Sequence, residues 1–160
     1  MFNNFSTRTS LAMAAAVVGA LSLASTAASA GGCPKDKMGA DLTKPSTMAA
    51  KDVTDTVLTQ IDVSKEPAHI DGRLFRLRRL EIKPGGVVPW HSHGDRPAII
   101  YIIKGTITEY ASNCAVPIVH HAGESTPEMS GTAHWWKNTG KETVVLLSAD
   151  LLHDAKDHNM

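Results

Sequence analysis

Short apolar and alternating segments, each ended by turn residues, recur along the chain from residue 56 onward. Gly or Pro stands at most of the breaks between them, as is typical of strands joined by tight turns. Seven strands are predicted, over residues 56–63, 74–83, 97–104, 106–111, 116–121, 133–136 and 143–151. No amphipathic helix of convincing length is predicted after residue 30. Strands at this density predict an all-β fold, an antiparallel sandwich or jelly roll.

The segment 74–82 carries arginines at positions 76, 78 and 79 among apolar residues. Because alternate residues of a regular strand face opposite sides, at least one arginine points inward whichever face is buried. A buried guanidinium group needs an anionic partner. The candidate partners are Glu81, Glu109 and a carboxylate of the substrate.

An apolar run precedes the predicted strands and ends in small residues. It spans the 14 residues 11–24, follows a short head that carries Arg8, and leads to Ala28-Ser29-Ala30. The run is short for a hydrocarbon layer of ~30 Å, whereas small-x-small is the pattern that signal peptidases cleave. We therefore expect residues 1–30 to be a cleaved signal peptide and the protein to be periplasmic or secreted.

The chain that remains after this cleavage divides into three parts. Residues 31–55 are rich in Gly, Pro, Lys, Asp, Ser and Thr, and we expect an N-terminal arm or linker there. Residues 56–152 are expected to form the β-domain, and residues 153–160 a polar C-terminal tail. The 130 residues from 31 to 160 suffice for one domain with its own core.

The charge balance narrows the classes of partner. Residues 1–30 hold Arg8 alone among charged residues, so the remaining chain has 15 basic and 16 acidic side chains, a formal net charge of −1. This balance gives no reason to expect nucleic acid, or a membrane after signal cleavage, as a partner. The expected partner is a small molecule.

Cys33 and Cys114 are the cysteines of the sequence. Export would place them in an oxidising compartment, where a disulfide between the arm and a loop is plausible. Two unpaired thiols are the alternative, because the sequence does not give the Cα distance. Lipidation of Cys33 is a competing interpretation, although Ala30-Gly31-Gly32 lacks the aliphatic residue that a lipoprotein cleavage site usually shows.

Three histidines indicate a metal site. His91 and His93 are separated by one residue, and His134 lies 43 positions after His91. Alternate residues of a strand point to the same face, so His91 and His93 are expected side by side. If the strand of His134 lies beside them, three neutral nitrogens converge. Such a set can hold one divalent transition metal, Fe, Mn, Ni, Cu or Zn, and leave coordination positions open for substrate.

The glycine frame around these histidines resembles the motifs of the cupin superfamily. The first motif is matched by Gly85, five further residues, His91-Ser92-His93 and a closing Gly105. The second is matched by Gly131, two residues, His134, three residues and Asn138. The resemblance covers roughly residues 74–150. It implies a cupin, jelly-roll antiparallel β-barrel, usually a homodimer, with a metal inside.

The sequence departs from the cupin pattern at two positions. Ala98 stands where the motif has a glutamate ligand, and Met129 where it has a proline. What remains is a three-histidine set. Loss of the carboxylate raises the formal charge of a divalent site from +1 to +2, which favours an anionic or chelating ligand. The resemblance also points to cupin oxygenases with three histidines, which bind their substrates directly on iron.

Polar and aromatic residues near the motifs are candidates for other roles. Adjacent His120 and His121 must face opposite sides of a strand, and a solvated strand end is the simpler explanation for the pair. The candidate acid–base groups are Tyr101, Glu109, Tyr110 and His121, and the candidate substrate-binding residues are Arg96 and Trp136.

Three functions are compatible with this pattern. The first is an exported, dioxygenase-like oxidoreductase that binds a small, anionic molecule on a three-histidine metal. The second is a non-catalytic periplasmic module that binds a small ligand or a metal. The third is a metal-independent isomerase or epimerase, whose activity would survive chelation. Fold alone does not decide among them.

Overall fold

The computed structural model describes residues 31–153. The predicted signal peptide and residues 154–160 of the predicted tail lie outside this range. The described residues form β1 (Lys51–Asp62), β2 (Leu74–Ser92), β3 (Ala98–Lys104), β4 (Thr106–Ala111), β5 (Ile118–His121), β6 (Ser125–Glu128), β7 (Ala133–Lys137) and β8 (Val144–Leu152). Two short 3₁₀ helices, Lys35–Lys37 and Val63–Lys65, complete the secondary structure of this part. No helix in residues 31–153 is long and apolar enough to cross a membrane.

The strands form one antiparallel sheet in the order β5-β4-β7-β2-β8-β3-β6, with β1 paired to β2 outside this path. The sheet curls into a nearly closed barrel, so the predicted all-β jelly-roll fold is confirmed. Its core consists of nine buried side chains: Leu80, Ile82, Val88, Ile100, Ile102, Ile107, Trp136, Val144 and Leu146.

Strand β2 is twice as long as predicted and joins both halves of the barrel. Its first half pairs with β1 and β8, and residues from Val87 onward pair with β7. The two halves meet at Pro84-Gly85-Gly86, where Gly85 has a φ of +77°. Glycine adopts this backbone conformation without steric penalty, so the expected break is a bend within one strand. The bend brings the segment His91-Ser92-His93 beside β7.

One strand begins earlier than predicted, and another was not predicted. Strand β1 begins at Lys51, five residues inside the segment 31–55 that was expected to be an arm. The short strand β6 was not predicted, because Ser125-Thr126-Pro127-Glu128 has neither apolar alternation nor β-branched density. It lies at the end of the sheet path and pairs only with β3. An edge strand tolerates proline, because one of its sides makes no ladder hydrogen bonds.

The N-terminal segment is attached to the barrel through Cys33 and Cys114, which form a disulfide with a Cα–Cα distance of 5.7 Å. Cys114 is fully buried in a small cluster with Ala111 and Ile118. The hydroxyl of Thr43 donates a hydrogen bond of 2.8 Å to the carbonyl oxygen of Cys114. The segment before β1 is therefore held against the β4–β5 loop.

The inward arginines of β2 find their partner on β8. Arg76 makes a bidentate contact with Asp150, with distances of 2.9 and 2.7 Å. Arg78 contacts Asp150 at 3.3 Å and also pairs with Asp55 of β1. The predicted partners Glu81 and Glu109 are not used: Glu81 pairs with half-exposed Arg79, and Glu109 lies elsewhere in the barrel. Asp150, fully buried, provides the anion that inward guanidinium groups require.

Candidate metal centre

The three motif histidines lie together inside the barrel. His91 of β2 and His134 of β7 are direct partners across the two strands, and His93 follows the end of β2 on the same face. Their exposed fractions are 8%, 2% and 1% for His91, His93 and His134. Strand alternation therefore places His91 and His93 side by side, and the pairing of β2 with β7 places His134 next to them.

The Nε2 atoms of the three imidazoles converge. His91 and His93 are 3.1 Å apart at these atoms, His93 and His134 are 3.0 Å apart, and His134 and His91 are 3.1 Å apart. A divalent ion held by three imidazoles at about 2.1 Å, in directions about 90° apart, separates neighbouring nitrogens by about 3.0 Å. The spacing thus fits one transition-metal ion bound on one face.

The hydrogen bonds of the three Nδ1 atoms determine which nitrogen of each imidazole carries the hydrogen. Nδ1 of His91 lies 2.9 Å from the carbonyl oxygen of Pro89, and Nδ1 of His93 lies 3.0 Å from that of Arg96. Nδ1 of His134 lies 2.6 Å from a carboxylate oxygen of Glu109. Carbonyl and carboxylate oxygens accept hydrogen bonds, so each Nδ1 is the donor. All three Nε2 lone pairs then face one another, an arrangement that a cation would stabilise.

Burial keeps the imidazoles of His91 and His93 neutral, the form that binds a metal. Loss of hydration, together with the charge of His134, lowers the pKa of His91 to about 2. The same two causes lower the pKa of His93 to about 4. At neutral pH neither ring competes with a metal by holding a second proton.

Glu109 links His134 to a fourth buried histidine. Its second carboxylate oxygen lies 2.8 Å from Nε2 of His120, which is 1% exposed and stacks on Trp136. Burial alone would raise the pKa of Glu109, but hydrogen bonds from His120 and His134 outweigh it and lower the value to about 2. Glu109 therefore stays ionised and orients the His134 ring, a usual role for a carboxylate behind a metal ligand.

A second carboxyl group approaches His134. Glu128 of β6 lies directly opposite Ala98 in the sheet, and one of its oxygens is 3.4 Å from Nδ1 of His134. Burial and the charge of Glu109 raise the pKa of Glu128 to about 9. Glu128, the cross-strand partner of Ala98, thus provides a carboxyl group near the position where the motif has glutamate. This carboxyl group faces Nδ1 of His134 rather than the three Nε2 atoms.

The structure brings only one of the four acid–base candidates to this centre. Glu109 is buried beside His134, whereas Tyr101 is 45% exposed on the outer surface. Tyr110 stacks on Trp135 outside the core, with ring centroids 4.1 Å apart. His121 is exposed and contacts the Thr106 hydroxyl, so its neighbour His120 is the inward histidine.

The two substrate-binding candidates are both buried. Arg96 is 2% exposed, and its guanidinium lies 3.8 Å from Asp150. Its carbonyl oxygen contributes to the centre by holding His93. Trp136 does line the central pocket, and its indole nitrogen lies 3.2 Å from Nδ1 of His134.

The histidines form one side of a small cavity of about 30 Å³. The remaining lining is mostly apolar and consists of Arg78, Leu80, Val88, Ile100, Trp136, Leu146 and Ser148. Arg78 and Ser148 are the polar residues of this wall, with Arg78 donating a 3.2 Å hydrogen bond to Ser148. A small ligand with one anionic end matches such a lining.

Replacing Glu109 with glutamine should weaken metal binding by about 10–100-fold, because the partner that orients His134 is lost while all three ligands remain. The dissociation constant would be measured by competition with a chromophoric chelator. Glu66→Gln, which changes an exposed carboxylate, is the control and should leave the constant unchanged. Equal affinities of the two variants would contradict the assigned role of Glu109.

Comparison with known proteins agrees with this architecture. Residues 78–150 match the family model Cupin_2, described as Cupin domain. The Schizosaccharomyces pombe Cnp3 cupin domain aligns with a TM-score of 0.51 and 18% identity, over 66% of this chain and 69% of its own. A protein from Thermus thermophilus aligns with a TM-score of 0.51 and 14% identity, over 62% and 83%. A Cupin 2 conserved barrel domain protein from Salinispora arenicola gives 0.49 and 16%, over 68% and 82%.

A search among curated proteins returned no match. At identities of 14–18% the solved structures show the fold alone. The family match, in contrast, covers the segment that carries His91, His93 and His134. The match over residues 78–150 and the similar barrel are the two features that this β-domain shares with cupin domains.

Proposed function

We propose that this protein is an exported metal-binding cupin that acts as a dioxygenase-like oxidoreductase on a small, anionic molecule. The metal ligands would be His91, His93 and His134. One observation carries the proposal: three Nε2 lone pairs lie 3.0–3.1 Å apart, with every Nδ1 hydrogen already donated to an oxygen. The arrangement suits a cation better than it suits three mutually repelling acceptors.

The residues of the chain would bind and orient the substrate. Arg78 and Ser148 would hold its anionic end, while Leu80, Ile100 and Leu146 exclude water from the remainder. Glu109 would keep the His134 ring in place. A bound divalent metal would supply Lewis acidity and open coordination positions for substrate and oxygen. A three-histidine site without a protein carboxylate has a formal charge of +2, which supports an anionic substrate.

The test is oxygen consumption by the metal-loaded protein, residues 31–160. It would be incubated with a panel of diols, thiols and flavonols, and oxygen would be followed with an electrode. Turnover with at least one class, absent in His134→Ala, is the expected result. No uptake with any member of the panel would contradict the oxidoreductase proposal.

A second candidate, a non-catalytic module that binds a small ligand or a metal, is favoured by a separate observation. Tyr101, Tyr110 and His121 lie away from the pocket, and Glu109 is engaged on the far side of His134. The described pocket lining therefore offers Arg78 and the metal-site histidines as its ionisable groups. Thermal stabilisation by a small anion without turnover would support this candidate.

Export and self-association complete the proposal. The apolar run with Ala28-Ser29-Ala30 supports cleavage after Ala30 and a periplasmic or secreted protein. The outer sheet face exposes Phe75, Ile99, Tyr101 and Ile103 at 45–60% of their surfaces. Such an apolar face supports a homodimer.

A further inference from the structure

Gly31 lies at a point where three hydrogen-bond acceptors converge. A β-carbon placed on this residue would lie 2.6 Å from the carbonyl oxygen of Val119, 2.8 Å from Nδ1 of His120 and 3.1 Å from Oε2 of Glu124. The distances to Val119 and His120 are too short for a carbon atom, and the distance to Glu124 is tight for one. They are ordinary distances for hydrogen bonds to an N–H donor.

One of the three acceptors is buried and lacks a donor. Nε2 of His120 lies against the Glu109 carboxylate and must be the protonated nitrogen, which leaves a lone pair on Nδ1. Nδ1 of His120 is buried and has no hydrogen-bond partner. Buried polar atoms of folded proteins are almost always paired, so this nitrogen points to a missing donor.

Cleavage after Ala30 would create such a donor. We propose that the α-ammonium group of Gly31, freed by signal cleavage, binds between Val119, His120 and Glu124. This inference rests on the export part of the proposed function. Rotation about the Cα–C bond of a terminal glycine moves its nitrogen into the position where a β-carbon would stand, and the N–Cα bond of about 1.46 Å is close to a Cα–Cβ bond in length. A primary ammonium has three N–H donors, one for each acceptor.

The negative charge of Glu124 and the disulfide of Cys33 both favour the α-ammonium group of Gly31 at this site. Oε2 of Glu124 already accepts a 2.8 Å hydrogen bond from the backbone N–H of His121, so the carboxylate is held in place at the site. The disulfide of Cys33 fixes the chain two residues after Gly31, which raises the effective concentration of the terminus there. While residue 30 remains attached, the nitrogen of Gly31 is a neutral amide with one N–H and cannot satisfy three acceptors.

The captured terminus would extend the buried hydrogen-bond chain of the metal centre. The order would be α-ammonium, His120, Glu109 and His134, so processing of the N-terminus would complete the support of one metal ligand. The site would therefore select a free amino terminus at residue 31 and exclude longer or blocked ones.

The experiment compares two forms with the disulfide intact: one that begins at free Gly31 and one that begins at Ala30. The Gly31 form should have a melting temperature about 3–5 °C higher, the shift that pairing one buried polar group gives a domain of this size. In a Glu124→Gln background this difference should shrink by half or more. Glu142→Gln, with an exposed carboxylate, should leave it unchanged.

Equal melting temperatures of the two forms would overturn the inference, as would an undiminished difference in Glu124→Gln. Terminal sequencing of the exported protein should give Gly31 as the first residue, and any other first residue would also overturn it. Metal content is measured in the same samples. A Gly31 form that is stabilised but empty of metal would contradict the metal-centre proposal and leave the terminal site intact.

Discussion

A form of the protein that begins at Gly31, residues 31–160, purified without chelator or affinity histidines, should contain about one divalent transition-metal ion per chain, and His91→Ala/His134→Ala should contain almost none. One remaining imidazole cannot hold the ion that three converging Nε2 atoms hold. Elemental analysis by mass spectrometry gives both the amount and the identity of the metal. Because the two substituted residues are direct cross-strand partners, circular dichroism must show that the variant keeps its β-structure.

His121→Ala is the matched control, because this histidine is exposed and points away from the centre. It should retain the metal in full. Iron, manganese, nickel or copper in the unaltered protein would direct the substrate panel toward oxygen chemistry. Zinc would favour the binding-module alternative. Metal that persists in the double variant would contradict the assignment of the three histidines.

Asp150→Asn should lower the free energy of unfolding by about 3–5 kcal/mol, because Arg76 loses its buried carboxylate partner and Arg78 keeps only Asp55. Asp150 is fully buried and contacts Arg76 at 2.7 Å and Arg78 at 3.3 Å. Asparagine has nearly the same shape, so the effect reports charge rather than volume. Urea denaturation with the disulfide intact would measure it, as a fall of about 2 M in the transition midpoint.

The control for this change is Glu142→Gln, which removes an ion pair with Lys104 at 3.4 Å in which both side chains are 59% exposed. Solvent-exposed pairs contribute at most about 1 kcal/mol, so the midpoint should barely move. If the two variants lose the same stability, the arginines of β2 are hydrated in the folded protein and the assignment of Asp150 is wrong.

Local periodicity was enough to predict most of the strands and the inward pair His91 and His93, because alternation along a strand depends only on neighbouring residues. The place of His134 beside them required the glycine frame of the second motif, since His134 is 43 residues away in sequence. Both predictions depend only on the number of residues between the motif positions, which can be counted in the sequence.

Pairing register explains what the sequence did not reveal. His120 and His121 are equivalent on a strand until one knows that His120 lies opposite Ile107, whose face is buried. Glu128 was missed because its strand exists only through pairing with β3. Asp150 was missed as the partner of the arginines because 74 residues separate it from Arg76. Each of these contacts depends on which strands become neighbours.

Strand β8 lies inside the sheet rather than at its edge, although it follows the other seven described strands in sequence. It lies between β2 and β3, and it contributes Asp150 to the buried arginines. The barrel therefore cannot close until residues 144–152 have left the ribosome. Pairing over such long separations is slow. A chain whose central strand follows its neighbours stays open until that strand is made, and an open chain is the form that the proposed export would require.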